Sequence, residues 1–236
     1  MLVAAGVVPA TPLLVPEVAS GAAAELDDLR ATALGAVGVL AAARADRLVV
    51  VGPALADEEG TCPAGSRGTF RGFGVELDVT LGPGTPEAGG RLPSSLAVAA
   101  WLLERAHWSD TPVTGLGVAE TRSPQECRAT GRELAASAPR TALLVVGDGS
   151  ACRTVKAPGY LDPRAEDFDR RAARALAEAD LDALHAVDAT LAAELKASGR
   201  APWQVLAGAA EGAGLRGELL ADQAPYGVGY HVATWT

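Results

Sequence analysis

Two rhythms of apolar residues alternate along the first two thirds of the chain. Short, nearly continuous apolar runs at Leu2–Val8, Arg47–Val51, Val113–Ala119 and Leu143–Val146 predict strands buried on both faces. Between them the apolar positions recur at steps of three and four. Leu26, Leu29, Ala33, Val37 and Leu40 predict a helix from about Gly21 to Arg44, and Leu96, Ala99, Ala100 and Leu103 predict one over Pro93–Ala106. Ser123-Pro124-Gln125-Glu126 carries a capping box with proline in the first helical position, so a third helix runs from there to about Ser137. Val75, Leu77, Val79 and Leu81 alternate with polar residues within Thr69–Leu81, which predicts a half-exposed strand at a sheet edge. Ala54–Gly68 and Gly82–Arg91 read as loops, because glycine, proline and charge dominate them.

The last third is mainly helical. A helix is expected from Asp162-Pro163 with Phe168, Ala172, Leu176 and Ala179 on its inner stripe. Shorter ones follow at Leu181–Val187, Ala189–Ala197 and from Pro202-Trp203 to Ala210, before two strands in Gly217–Trp235 joined around Ala224–Gly227. The expected fold class is therefore α/β: a largely parallel or mixed central sheet with helices on both faces. Residues 1–236 form one domain in this reading, with 162–210 as a helical insertion or cap.

Composition narrows the partners. The formal net charge is −9 and no basic stripe occurs, so nucleic acid is not expected as a partner. Cys62, Cys127 and Cys152 are odd in number and form no CxxC pair, which points to a reducing, cytoplasmic setting. Pro9, Pro12 and Pro16 interrupt the apolar start and no basic segment precedes it, so neither a signal peptide nor a membrane span is expected. A homo-oligomer is compatible with the sequence.

The densest polar chemistry follows the fourth apolar run. Leu143–Asp162 reads LLVVGDGSACRTVKAPGYLD, and ligands of α/β sheets sit just beyond the carboxyl ends of such strands. Asp148 is either a base or hydroxyl anchor, or an acceptor within its own Gly-Asp-Gly turn. Ser150 lacks a G-x-S-x-G elbow, so it is a hydrogen-bonding group rather than a nucleophile. Arg153 and Lys156 either attract an anionic ligand or pair with Asp148, Asp162 or Glu17. Asp162 reads as a helix cap. Tyr160 and Tyr226 either orient a ligand or pack in the core, and Trp203 walls a pocket or anchors the core. His231 is the histidine expected nearest a pocket, whereas His107 reads as a surface or internally satisfied residue and His185 as a solvated one, rather than as ligands. Thr11, Asp148, Ser150, Arg153, Lys156, Tyr160, Trp203, Tyr226 and His231 make up the candidate ligand site.

Several segments together resemble the class III extradiol ring-cleavage dioxygenases, in particular their B-like subunits of actinobacterial type. They are Pro9–Pro12 with Leu13–Glu17, Val49–Pro53, Val145–Ser150, Lys156–Arg164, Ala201–Ala210 and Ala224–Tyr230. The resemblance implies an Fe(II) held by two histidines and a glutamate, with a further histidine as acid/base. It places the histidines at Ala10, Ala54 and Ala151 of this chain, where methyl groups stand instead. It therefore implies a scaffold without its iron ligands, binding a small anionic or aromatic molecule in a strand-end pocket, with no cofactor. The alternatives are an active dioxygenase or other metal-dependent oxidoreductase with Fe(II) in a rearranged site, and a non-catalytic structural or regulatory subunit.

Overall fold

Four mutually parallel strands make the centre of the sheet because their side chains are apolar on both faces. The computed structural model describes residues 1–85, 90–109 and 111–236. In chain order the elements are β1 (Leu2–Val8), α1 (Pro16–Ala19), α2 (Asp27–Ala42), β2 (Arg47–Ala54), β3 (Gly60–Cys62), β4 (Arg67–Thr69), β5 (Asp78–Thr80), α3 (Ser94–Arg105), β6 (Val113–Ala119), α4 (Pro124–Ala136), β7 (Thr141–Val146), α5 (Ala165–Glu178), α6 (Leu181–His185), α7 (Ala189–Glu194), α8 (Arg200–Ala209), β8 (Gly217–Gln223) and β9 (Tyr230–Trp235). The main sheet has the order β3-β6-β2-β7-β1-β9-β8. β6, β2, β7 and β1 run parallel, whereas β3 and β9 pair antiparallel with β6 and β1, and β8 antiparallel with β9. The fold is α/β with a large mixed sheet flanked by helices.

Successive side chains of a strand point to opposite faces, and each face builds its own core. Ala4, Val8, Leu48, Val50, Leu144 and Val146 pack with α2 and α3. Val7, Val49, Val51, Leu143 and Val145 pack with α5, α8 and Trp235. Leu2 shares that second face with Ala5, an odd step made possible by a register irregularity between Leu2 and Ala4.

Several expectations are corrected. The Gly21–Arg44 helix divides: Ser20–Leu26 is a 3-10 segment and α2 begins at Asp27. Arg30 sits at the join, donating to Leu14 O and Ala23 O. Thr69–Leu81 holds the last residue of β4 and the short β5, an edge strand as expected, but of a separate two-stranded sheet with β4 rather than of the main one. A 3-10 turn at Arg71–Phe73 and Gly74 at φ +82° reverse the chain there, and Phe70 N donates to Leu77 O across the hairpin. The loop expected over Ala54–Gly68 contains β3. The loop expected over Gly82–Arg91 includes residues 86–89, which lie outside the described residues.

α5 and α8 cover the second sheet face, and α8 packs along α4 through glycines: a Cβ on Gly131 or Gly208 would overlap the facing backbone. α5 starts at Ala165, not Pro163, and Arg164 occupies its N-cap position; Asp162 instead accepts from the Arg164 amide at 2.9 Å and binds its guanidinium. α8 starts at Arg200, two residues before Pro202.

Candidate functional site

The carboxyl ends of the parallel strands open into a cavity of about 650 Å³. Ala10 reaches it from beyond β1, Pro53 and Ala54 from the end of β2, Ala119 to Thr121 from β6, and Asp148 from beyond β7. Arg91, Leu92, Ser94 and Ser95 line it from the start of α3, and Ser198 from the approach to α8. The β4–β5 hairpin contributes Thr69, Gly72 and Phe73, so one wall is a small reversing ribbon with an aromatic side chain near its tip. Glu58 and Glu120 add carboxylates to the wall. Among the described residues Arg91 has no ion-pair partner, so its charge is available to a ligand.

Asp148 is half-buried and fixed on three sides. Its Oδ1 accepts the Ala10 amide at 2.7 Å, its own amide donates to Ser198 Oγ at 3.1 Å, and its carbonyl accepts the Gly199 amide at 2.8 Å. Burial pushes its carboxyl up to about 7, while the amides of Ala10 and Thr11 and the imidazole of His231 pull the other way. A carboxyl that titrates near neutrality can donate a hydrogen bond or a proton in one state and accept in the other. Burial first, and then the Asp148 carboxyl, raise the phenol of Tyr230, while the Thr11 side chain opposes the rise.

Behind the Asp148 turn lies a second buried polar group. Asp169 of α5 accepts the Ser150 amide at 2.7 Å and pairs with Arg153 at 3.0 Å. Burial raises its carboxyl, opposed by those two donors and by His231. His231 of β9 is fully buried. Its Nδ1 lies 3.1 Å from Asp222 Oδ1, and its Nε2 has no hydrogen-bond partner among the described residues. The imidazole holds the Asp222 carboxyl below its ordinary range.

Of the nine residues expected at the ligand site, only Asp148 lines the cavity. Thr11 is buried beneath it and caps a 3-10 turn by accepting from Leu13 N. Ser150 is buried, donating to Leu195 O and accepting from Cys152 N. Trp203 is buried in the core, its ring 5.9 Å from that of His231. Arg153 faces a separate cleft of about 190 Å³ with Glu166, Arg170 and Asp222, and its partner is Asp169 rather than Asp148, Asp162 or Glu17. Lys156 and Tyr160 are exposed on the loop that leaves the turn, and Tyr226 is exposed with its hydroxyl on Glu25 at 2.7 Å. His185 is not a surface residue: its side chain is 13 % exposed and lies 3.5 Å from Glu211.

Sequence reasoning missed Asp169, Tyr230, Arg91 and Ser198. Only Tyr230 carried a signal, as an aromatic residue beside His231 in an expected strand. The other three come to the site from distant helices and loops.

The iron ligands implied by the resemblance do not fit this chain. Ala10 and Ala54 line the cavity with methyl groups, and Ala151 does not line it. His231 Nε2 is turned toward Gly149 and Asp169 behind the turn, not into the cavity. Among the described residues no group of three or more His, Cys, Asp or Glu side chains is placed to hold a metal. Among the described residues, no helix is long and apolar enough to cross a membrane.

No family model matches the chain. No curated protein matches it either. Among solved structures it is similar to the uncharacterized protein JW3007 from Escherichia coli K12, with a TM-score of 0.58 and 17 % identity over 98 % of this chain and 99 % of that one. At that identity the likeness shows the fold alone.

Proposed function

We propose that this chain is a small-molecule-binding protein on an extradiol-dioxygenase-like scaffold, with the strand-end cavity as its binding site. One observation carries the reading: Ala10, Ala54 and Asp148, from three different strand ends, converge on a single cavity. Two of these are positions where the resemblance would place histidines, and the third is a carboxyl that changes charge near neutral pH. The cavity size suits a small organic molecule. Its walls combine apolar groups (Leu55, Phe73, Leu92) with Arg91 and Asp148, which favours an aromatic or short-chain anion. Asp148 in its protonated state donates a hydrogen bond to such a ligand, and Arg91 attracts its charge. A cytoplasmic setting belongs to this reading and is supported by three buried, free cysteines.

A ligand-observed NMR screen of small aromatic and aliphatic carboxylates tests it. Binding is expected for the wild-type protein and loss of binding for Ala54→Trp, which fills the cavity from one wall. Hits unaffected by Ala54→Trp would place binding elsewhere. Stoichiometric iron together with catechol cleavage would replace the reading with a redox one.

A further inference from the structure

Eight large apolar side chains are exposed among the described residues, and six of them stand at the carboxyl end of the parallel strands. Leu55 follows the end of β2, and Phe73 lies near the tip of the β4–β5 hairpin; both line the cavity. Val155, Tyr160 and Leu161 sit on the loop that follows the Asp148 turn, and Tyr226 just before β9. β9 runs antiparallel to β1, so its start lies at that same end of the sheet. β2 and β9 are three strands apart in the order β2-β7-β1-β9, about 14 Å. Both groups therefore fit within one protein interface of standard size.

This exposure is built into the backbone. The loop is tied down by hydrogen bonds from Arg153 N to Gly227 O at 3.0 Å, Gly159 N to Ala151 O at 2.8 Å and Asp162 N to Cys152 O at 2.9 Å. A Cβ on Gly159 would overlap Cys152 Sγ. Tyr160 and Tyr226 both hold positive φ, at +62° and +58°, an uncommon state for a residue of that size. A fixed loop that already presents its aromatic rings loses little freedom when a partner covers it. Tyrosine is also a frequent anchor of such contacts.

The charges beside the two groups select the partner. Lys156, exposed next to Val155, has no ion-pair partner among the described residues. Asp57, exposed two residues after Leu55, has none among them either. Each apolar group thus carries an unpaired charge, the two charges are opposite in sign, and one chain supplies both halves. We propose that this end of the sheet is a two-fold interface between two copies of the chain. The loop with Val155, Lys156 and Tyr160 of one protomer meets Leu55, Phe73 and Asp57 of its partner, and the reverse contact forms by symmetry. The partner's loop then covers the apolar rim of each cavity. Asp57 does not line the cavity, so the ion pair stands on the rim and not beside a bound molecule.

The interface does not depend on what the cavity binds, and its test requires no ligand. Sedimentation velocity of the full chain is followed from about 1 to about 100 µM, where a dimer is expected to form. Val155→Asp and Tyr160→Asp are each expected to raise its dissociation constant at least ~10-fold. Both side chains are exposed, so the protomer keeps its fold, which far-ultraviolet circular dichroism checks. Lys156→Glu is expected to weaken the dimer, and Lys156→Glu combined with Asp57→Lys to restore it. Leu220→Asp, on the edge strand β8, is the control and should leave the dimer intact. A wild-type monomer throughout the range, or a dimer untouched by Val155→Asp and Tyr160→Asp, would overturn the interface. A charge swap that fails to restore association would overturn the pairing of the two surfaces. Dissociation by Leu220→Asp in place of the loop variants would move the contact to the sheet edge and overturn the assignment as well.

Discussion

The backbone amide of Ala10 donates to Asp148 Oδ1 at 2.7 Å, joining the turn beyond β1 to the turn beyond β7. The two strands are neighbours in the sheet, so their carboxyl ends meet although 138 residues separate them. The methyl group of Ala10 and the carboxyl of Asp148 then line the same cavity. Where the resemblance would seat an imidazole, this chain places a hydrogen bond from the main chain.

Replacing Asp148 by Asn has a pH-dependent effect on stability. The folded carboxyl titrates at about 7 against a reference of 3.8. The folded chain therefore holds a proton that the unfolded chain releases, and wild-type stability falls as pH rises from about 4 to about 7. Below the lower value the penalty is absent; above the upper one it is complete. Asn keeps an oxygen for the Ala10 amide and carries no charge. The variant gains most above pH 7, by at most ~4 kcal/mol from the difference in pKa and by about 1–2 kcal/mol once solvent entering the cavity is allowed for. Urea unfolding at pH 5 and pH 8 measures this; an equal difference at both values would refute it.

The parts of the fold legible in the sequence are those set by local pattern. The apolar runs gave the four parallel strands because each is buried on both faces. The Ser123–Glu126 capping box is present with both of its hydrogen bonds. The site was less legible, because closeness in sequence to Asp148 is a poor guide to closeness in space. Gly159 N folds back onto Ala151 O, and Tyr160 adopts φ +62°, so the loop carrying Lys156 and Tyr160 leaves the cavity. Asp169 and Ser198 reach the turn through folding of distant helices, which no local periodicity reports. The alternation at Val75–Leu81 identified the exposed and covered sides but not which sheet the strand would join.

Gly229→Ala removes the close approach that seats Asp169. The added methyl would overlap Asp169 Oδ2, while the carboxylate is held by Ser150 N and Arg153 and cannot easily retreat. A loss of about 2–4 kcal/mol is expected, as for overpacking against a buried charge. Gly21→Ala, with open space around its Cβ position, is the control and should change stability by under ~1 kcal/mol. Equal melting temperatures for the two variants would contradict the packing argument.

Arg200 is a buried cation, 3 % exposed, whose hydrogen bonds go to oxygens of neutral groups. It donates to Arg122 O at 2.7 Å, to Glu120 O and to Gln204 Oε1 at 3.1 Å. Those carbonyls belong to the turn that brings Glu120 and Thr121 to the cavity wall. Arg200→Met keeps the stem but strips the donors, leaving the carbonyls unpaired. We expect a loss of about 2–4 kcal/mol and faster amide exchange at residues 120–122. Unchanged exchange there would show that the guanidinium does not hold the wall.

Arg91 and Lys156 separate a cation that faces the cavity from one that does not. Arg91 lines it, whereas Lys156 is exposed on the departing loop. Both are surface charges, so each is worth little unless a ligand is brought against it. With benzoate as the probe, Arg91→Gln removes the attraction at the cavity wall and should weaken binding about 5-fold, equivalent to ~1 kcal/mol. Lys156→Gln should leave the affinity unchanged. Raising the salt concentration should weaken wild-type binding and affect Arg91→Gln less, because only the wild type retains the charge that salt screens. The carboxylates of Glu58 and Glu120 line the same cavity and oppose an anion, so Glu120→Gln should strengthen benzoate binding where Arg91→Gln weakens it. Isothermal titration of the four proteins at two salt concentrations decides the matter. If Lys156→Gln weakened benzoate and Arg91→Gln did not, the anion would sit on the loop after the central turn, and the cavity would not be its site.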